Sequence, residues 1–271
     1  MRFRRGRCQN ERGCITWNWS GRRRGFVKDT DAQWNRRGFG RTVAAPPLNS
    51  GVSQPMFQGV TTDLRVAGFH HSSGWERGAA LKLAYFLGQP VGESRDPAIV
   101  RMLSPQVPSE ALTNTLSSRY GMGPFPFHTE SAYWRHPSRF VVLYCVHPGS
   151  GERPTLLKDS AEWDLSSRKL QILTHGAWKS GGSRRFVCAI GSRCSGRLRL
   201  RFDLDCMKPL NRAAREASEI VGLCMQSQMP QRIEWHPGDL LVIDNFRILH
   251  ARGAAGAPDQ DRILERVLVV E

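Results

Sequence analysis

The stretch GDLLVIDNFRILHARG, residues 238–253, places two short apolar runs on either side of Asp244-Asn245 and ends the second run on His250. A Pro-Gly turn leads into it. Runs this short, rich in aliphatic residues and bounded by turn formers, read as buried strands. Further along, RILERVLVV (262–270) is another strand; upstream, RFVVLYCV (139–146) and FVCAI (186–190) are two more. GRLRLRFDLD (196–205) alternates, with Leu198, Leu200, Phe202 and Leu204 on one face and Arg197, Arg199, Arg201 and Asp203 on the other. Helical spacing marks 74–88, ending on Gly88 as a C-terminal stop. It also marks 161–173, and 211–225 with Asn211 as N-cap. Many short strands with a few helices predict a mostly β chain with flanking helices. The expected architecture is a double-stranded β-helix (jelly roll, cupin-like) rather than a parallel α/β sheet.

With 271 residues, 40% of them hydrophobic, the chain can bury one sizeable core. No apolar run is long enough to span a membrane and no secretory leader opens the sequence, so the expected setting is cytoplasmic. The seven cysteines are scattered and never spaced C-x-x-C, which disfavours a zinc ribbon or a disulfide scaffold. Cys145 and Cys188 lie in strand runs, where reduced buried thiols are ordinary. The formal charge is +15, and residues 1–41 alone hold twelve Arg/Lys against three Asp/Glu. The basic excess is therefore mostly a property of that segment. It reads as a bland extension, a transit-like peptide or a nucleic-acid-binding arm. TVAAPPLNSGVSQP (42–55) is the natural linker, giving a basic extension and linker over 1–54 and a folded domain over 55–271.

PFPFHTESAYW (124–134) puts His128 two places ahead of Glu130. On a strand, i and i+2 share a face, so both side chains reach one ion. Alone, the pair reads equally well as solvated surface. His250 changes the balance. Two histidines and a carboxylate form the facial set that holds non-haem Fe(II) with three positions open, room for a bidentate 2-oxo acid and dioxygen. Arg262 and Arg266, four apart, share one strand face, and a guanidinium meets a carboxylate through paired charge-assisted hydrogen bonds.

The motifs NTLSSRYGMGPFPFHTESAYW, PGSGERPTLLKD, GDLLVIDNFRILHARG and DRILER, in this order, resemble the TauD/TfdA-like Fe(II)/2-oxoglutarate-dependent dioxygenases. The H-T-E form is similar to their clavaminate synthase and asparagine oxygenase branch. The resemblance covers roughly residues 75–271. It implies that His128, Glu130 and His250 bind iron and that Thr155, 27 positions after His128, hydrogen-bonds 2-oxoglutarate. It further implies that Arg262, 12 positions after His250, clamps the distal carboxylate of that co-substrate, with Arg266 as second candidate. The implied activity is hydroxylation of an aliphatic C–H of an amino acid or amino-acid-derived metabolite, free or carrier-tethered, coupled to decarboxylation of 2-oxoglutarate to succinate. Desaturation or ring closure are variants of it. A halogenase, which lacks the carboxylate ligand, is disfavoured by Glu130.

Ser118, Arg119 and Tyr120, just before the pair, lie where such enzymes contact substrate. Tyr133 and Trp134 are candidate pocket walls, and equally ordinary core. Arg252 is read as substrate contact or as solvent-exposed, Arg201 likewise, and Asn245 as support for the metal site or a turn residue. Two rival readings stand beside the oxygenase: a cupin-like lyase or hydrolase using the same three ligands, and a nucleic-acid-binding protein acting through the basic segment. Nucleic acid and membrane are not the expected partners.

Overall fold

The computed structural model describes residues 54–93, 96–181 and 185–271. The basic segment, and all but the last residue of the expected extension 1–54, lie outside the described residues.

In chain order the first half contains α1 (Gln54–Val66), β1 (Phe69–Ser72), α2 (Ala79–Leu87), β2 (Gln89–Val91), β3 (Val100–Leu103), α3 (Leu116–Tyr120), β4 (Phe140–His147) and β5 (Thr155–Asp159). An insertion follows: α4 (Ser167–His175), β6 (Trp178–Ser180), β7 (Val187–Cys188), β8 (Gly191–Cys194), β9 (Arg197–Leu200), β10 (Met207–Pro209) and α5 (Arg212–Ser227). The chain then returns with β11 (Gln231–Ile233), β12 (Leu240–Asp244), β13 (Ile248–Arg252) and β14 (Ile263–Val270). The major sheet runs β1-β12-β4-β14-β2, with β3 also on β14. The minor sheet runs β11-β5-β13, and the pairs in both are antiparallel. This is the expected mostly β sandwich with flanking helices.

Strand alternation sorts the core into two layers. Val141, Leu143 and Cys145 of β4, Leu241 and Ile243 of β12, and Leu264 and Leu268 of β14 face inward. There they meet Leu157, Ile233 and Ile248 of the minor sheet. Val142, Tyr144, Leu240, Val242, Val267 and Val269 point outward under α1 and α2. Both faces of the major sheet are covered, which is why these strands read as unbroken apolar runs. The insertion has its own core of Leu173, Trp178, Phe202, Met207 and the apolar stripe of α5, capped onto Leu249 of β13. Fully burying each such side chain contributes roughly 1.5–3 kcal/mol.

Asn211 caps α5 as expected, its side chain accepting from the Ala214 amide at 2.8 Å, and α2 stops at Gly88. Other boundaries differ. The helix expected over 74–88 begins only at Ala79, after Gly78 with φ 90°. That expected over 161–173 splits into a 3₁₀ turn, Ser160–Glu162, and α4, because Asp159 and Ser166 each cap a new start. FVCAI forms a two-residue strand on which Val187 is 63% exposed, not a buried one. β9 ends at Leu200. The alternation persists through buried Phe202, but Leu204 is 49% exposed, where the chain turns on Asp203.

Candidate metal centre

Residues His250 and Arg252 of β13 share the inward face with Ile248, and register places them opposite Leu157 and Thr155 of β5. His128 joins from a loop as an isolated bridge: its amide and carbonyl exchange hydrogen bonds with those of His250, both at 3.0 Å. Directly paired residues project to the same side, and the two imidazole centroids lie 4.5 Å apart. The expectation of a strand carrying His128 and Glu130 is corrected here. Past His128 the chain turns, with Ser131 at φ 54°. Asn245 holds that turn. Its Oδ1 accepts from the Glu130 amide at 2.7 Å, and its Nδ2 donates to the carbonyls of Glu130 and Ser138 at 3.0 and 2.8 Å. Asn245 therefore supports Glu130 from beneath.

One ligand atom from each of His128, Glu130 and His250 lies within 4.8 Å of the others. The carbonyl of Pro126, 2.9 Å from His128 Nδ1, keeps the proton there and leaves Nε2 as the free lone pair. Burial, then the neighbouring His128, pushes the His250 pKa down to about 3. Burial alone would raise Glu130, but Arg266 and the two imidazoles outweigh it and bring its pKa to about 2. Glu130 and His250 thus stand in ligand form at neutral pH, and the hydrogen bond of His128 aims its Nε2 as the third donor. His250 Nδ1 is buried without a partner and its Nε2 lies 3.9 Å from Glu130 Oε2, so neither ring nitrogen is committed to a protein hydrogen bond. The donor set fits a divalent iron.

Two arginines of the last strand region serve different ends. Arg266 donates to Glu130 Oε2 at 3.0 Å and also pairs with Glu93, which binds Arg101 at 2.6 Å. Tyr133 belongs to this group, its phenol pushed up by burial and then by Glu93. Arg262 is buried, its Nε has no partner, and its pKa is brought down to about 10 by burial, with Asp259 opposing and Arg153 adding to the fall. Gly149 at φ 84° makes room for it, since a Cβ there would meet Arg262 Cβ at 2.7 Å. Arg153 and Asp259 form a doubly hydrogen-bonded pair, 2.6 and 2.8 Å, at 2% and 0% side-chain exposure. Arg252, pushed down to about 9 by burial and by Arg153 and Arg262, completes a group of three guanidiniums around one carboxylate. A cavity of about 280 Å³ opens beside it, lined by Met122, Gly123, Pro124, Arg153 and Asp259. Thr155 accepts from Trp235 Nε1 at 3.0 Å, which leaves its hydroxyl hydrogen to donate elsewhere.

Several sequence candidates are spent on scaffolding. Ser118 closes a capping box with Thr115. Arg119 and Tyr120 both bind Asp205, at 2.7 and 3.0 Å. Trp134 packs edge-on to Tyr133 at 6.2 Å and against the sandwich core. Arg201 donates to the carbonyls of Trp134 and Arg135, not to an open cavity. Arg252 is half-buried and donates to the carbonyls of Gly121 and Gly123. Glu93, Arg153 and Asp259 were not singled out by sequence reasoning. Arg153 sits two places before Thr155, the one local signal that pointed to it.

Residues 197–268 match the taurine catabolism dioxygenase TauD, TfdA family, a span that holds His250, Asp259, Arg262 and Arg266. The solved structure of asparagine oxygenase with Fe(II), 2S,3S-3-hydroxyasparagine and succinate is similar at 20% identity and TM-score 0.65, over 80% of each chain. The non-heme iron oxygenase OrfP with Fe and alpha-ketoglutaric acid is similar at 19% identity and TM-score 0.66, again over 80% of each chain. OrfP with Fe, succinate and (3S)-hydroxy-L-Arg gives 18% and 0.64, over 80% of this chain and 81% of the other. The chain is thus similar to the TauD/TfdA family over residues 197–268, and its fold is that of asparagine oxygenase and OrfP.

Proposed function

We propose that the chain is an Fe(II)/2-oxoglutarate-dependent dioxygenase that hydroxylates an aliphatic carbon of an amino acid or amino-acid-derived metabolite. The observation that carries this is the trio His128, Glu130 and His250 together with a buried Arg262 whose Nε has no hydrogen-bond partner. When bound, iron and 2-oxoglutarate supply the oxidising chemistry: the 2-oxo acid is decarboxylated to succinate and CO2 while one atom of dioxygen enters a C–H bond.

The residues' own tasks follow from their surroundings. His128, Glu130 and His250 would hold the ion, each through one donor atom. Arg262 receives the distal carboxylate of the co-substrate through charge-assisted bonds in a site where desolvation makes the unpaired guanidinium costly. The Thr155 hydroxyl donates to the same molecule. Arg266 ties up Glu130 Oε2 and fixes the carboxylate's orientation, so its role is on the metal ligand rather than as a second clamp. The neighbouring folds hold hydroxylated asparagine and arginine, which supports the same substrate class. Tyr133, near Glu93 and Arg266, forms part of the pocket wall.

The substrate is taken free or on a carrier protein; the formal +15 charge suits an acidic carrier. No helix of the described residues is long and apolar enough to cross a membrane, and a cytoplasmic setting, which supplies reduced iron and 2-oxoglutarate, suits the reading. The test is succinate formation by the full chain with a panel of amino acids. Succinate should require added Fe(II) and rise with the right amino acid. Succinate formation that is indifferent to iron counts against the oxygenase, and turnover that survives Arg262→Ala points to the metal-dependent lyase or hydrolase.

A further inference from the structure

The loop that delivers His128 is fastened to the arginine group around Arg262. Main-chain bonds zip it to β13: the Phe125 amide donates to the Arg252 carbonyl at 2.9 Å, and His128 pairs with His250. The Arg252 side chain then reaches over the same loop. Its Nε donates to the Gly123 carbonyl at 3.0 Å, its Nη2 to the carbonyls of Gly121 and Gly123, and its guanidinium lies 3.5 Å from the centroid of the Phe125 ring. Arg153 Nη2 donates to the Met122 carbonyl at 2.7 Å, and its Nη1 to Gly123 at 3.4 Å. Three successive carbonyls, 121 to 123, thus end on two guanidiniums. Gly121 has φ 51°, and a Cβ there would meet Pro108 Cδ at 2.8 Å, so the bend that aims these carbonyls inward requires glycine.

The two fasteners are also Arg262's neighbours. Arg153, Arg252 and Arg262 repel one another, and Asp259 alone among them is an anion. Like charges in a poorly solvated space push each other from their best positions. A carboxylate on Arg262 offsets that repulsion and so strengthens the hold that the other two guanidiniums have on the loop carbonyls.

We infer that Arg252 is a positioning residue that couples the 121–125 loop, and through it His128, to occupation of the Arg262 site by a dicarboxylate. This rests on the proposed function. By reciprocity, whatever factor the dicarboxylate lends to loop order, loop order returns to dicarboxylate affinity; coupling of this kind is on the order of 10-fold.

The experiment is amide hydrogen exchange on the full, Fe(II)-loaded chain without oxygen, following peptides that cover 119–128. Two acids are compared: 2-oxoglutarate, and pyruvate, which has the same 2-oxo acid head but no distal carboxylate. Binding of each is measured in parallel by calorimetry. In the wild type, 2-oxoglutarate should slow exchange in the loop about 10-fold and saturating pyruvate should leave it unchanged. In Arg252→Gln the loop should exchange faster, 2-oxoglutarate should no longer slow it, and its affinity should fall by a similar factor. Arg252→Lys, which keeps the charge but not the fork, should fall between. Equal protection by both acids, no protection despite measured 2-oxoglutarate binding, or a full response in Arg252→Gln would overturn the inference. Absence of 2-oxoglutarate binding in the wild type would take down the proposed function and this coupling with it.

Discussion

Two arginines four residues apart, Arg262 just before β14 and Arg266 within it, occupy different electrostatic settings. Arg266 sits in an alternating chain, Arg101, Glu93, Arg266, Glu130, in which every charge has an opposite neighbour. Arg262 sits among like charges, with Arg153 and Arg252 close by and Asp259 already engaged by Arg153. Burying a charge is tolerated when it is paired and hydrogen-bonded, and is otherwise costly. The balanced chain therefore accounts for itself as architecture that shapes the metal ligand Glu130. The unbalanced group makes sense only with an anion added. A buried guanidinium with an unpartnered Nε costs stability, and this contrast supports Arg262 as the proposed co-substrate site.

Removing Arg266 should have the larger effect on the fold. Arg266→Ala leaves Glu130 and Glu93 facing each other with less compensation, a loss of about 3–5 kcal/mol for breaking a buried pair, measurable by urea denaturation. Metal affinity should fall with it.

Arg262→Met sharpens the comparison from the other side. Binding of 2-oxoglutarate should weaken by about 10- to 100-fold, as expected for losing a hydrogen bond to a charged group, while the metal-free protein stays as stable or gains. Calorimetry and a melting curve on the same sample separate the two outcomes. A large loss of stability would mean that Arg262 is paired in solution after all.

Asn245→Ala tests how far Glu130 depends on its turn. Groups behind metal ligands typically contribute about 10-fold or more in affinity, so Fe(II) binding should weaken by roughly that much, with a modest fall in stability from the stranded Glu130 and Ser138 carbonyls.

The same site also makes stability depend on pH. Glu130 at about 2 and His250 at about 3 are both depressed relative to 4.5 and 6.5, so the unfolded chain binds more protons than the folded one between those values. Stability of the metal-free protein should rise with pH from about 3 to 6.5 and show no further gain from these groups above it. A site whose His250 titrated near 6.5 would instead lose the metal between pH 7 and 6.

Much of this was legible in the chain because the decisive signals are local. The two apolar runs around Asp244-Asn245 dictated β12 and β13, and strand periodicity singled out Arg262 and Arg266. The approach of His128 to His250, expected from residue type alone, is made by a backbone pairing across 122 positions that no local pattern encodes. The same holds for Glu93, which reaches Arg266 because β2 and β3 both pair with β14, and for Asp259, which lies 106 positions from Arg153. The polar face of 196–205 misled for a related reason. Arg201 finds main-chain carbonyls of the loop after Glu130 rather than a cavity, and only the packed insertion brings them together. α1 had no sequence expectation because its apolar face is partial and it follows the proline-broken linker.

The account's central claim is that the iron trio and Arg262, whose Nε has no partner, together bind a 2-oxo dicarboxylate. The most direct measurement is anaerobic titration of the metal-free chain with Fe(II) and then 2-oxoglutarate, following the weak visible metal-to-ligand charge-transfer band in the wild type, His128→Ala and Arg262→Ala. The account predicts a band that needs both additions, is absent in His128→Ala, and in Arg262→Ala appears only at much higher 2-oxoglutarate. A folded, iron-loaded wild type that shows no band at any 2-oxoglutarate concentration would contradict it.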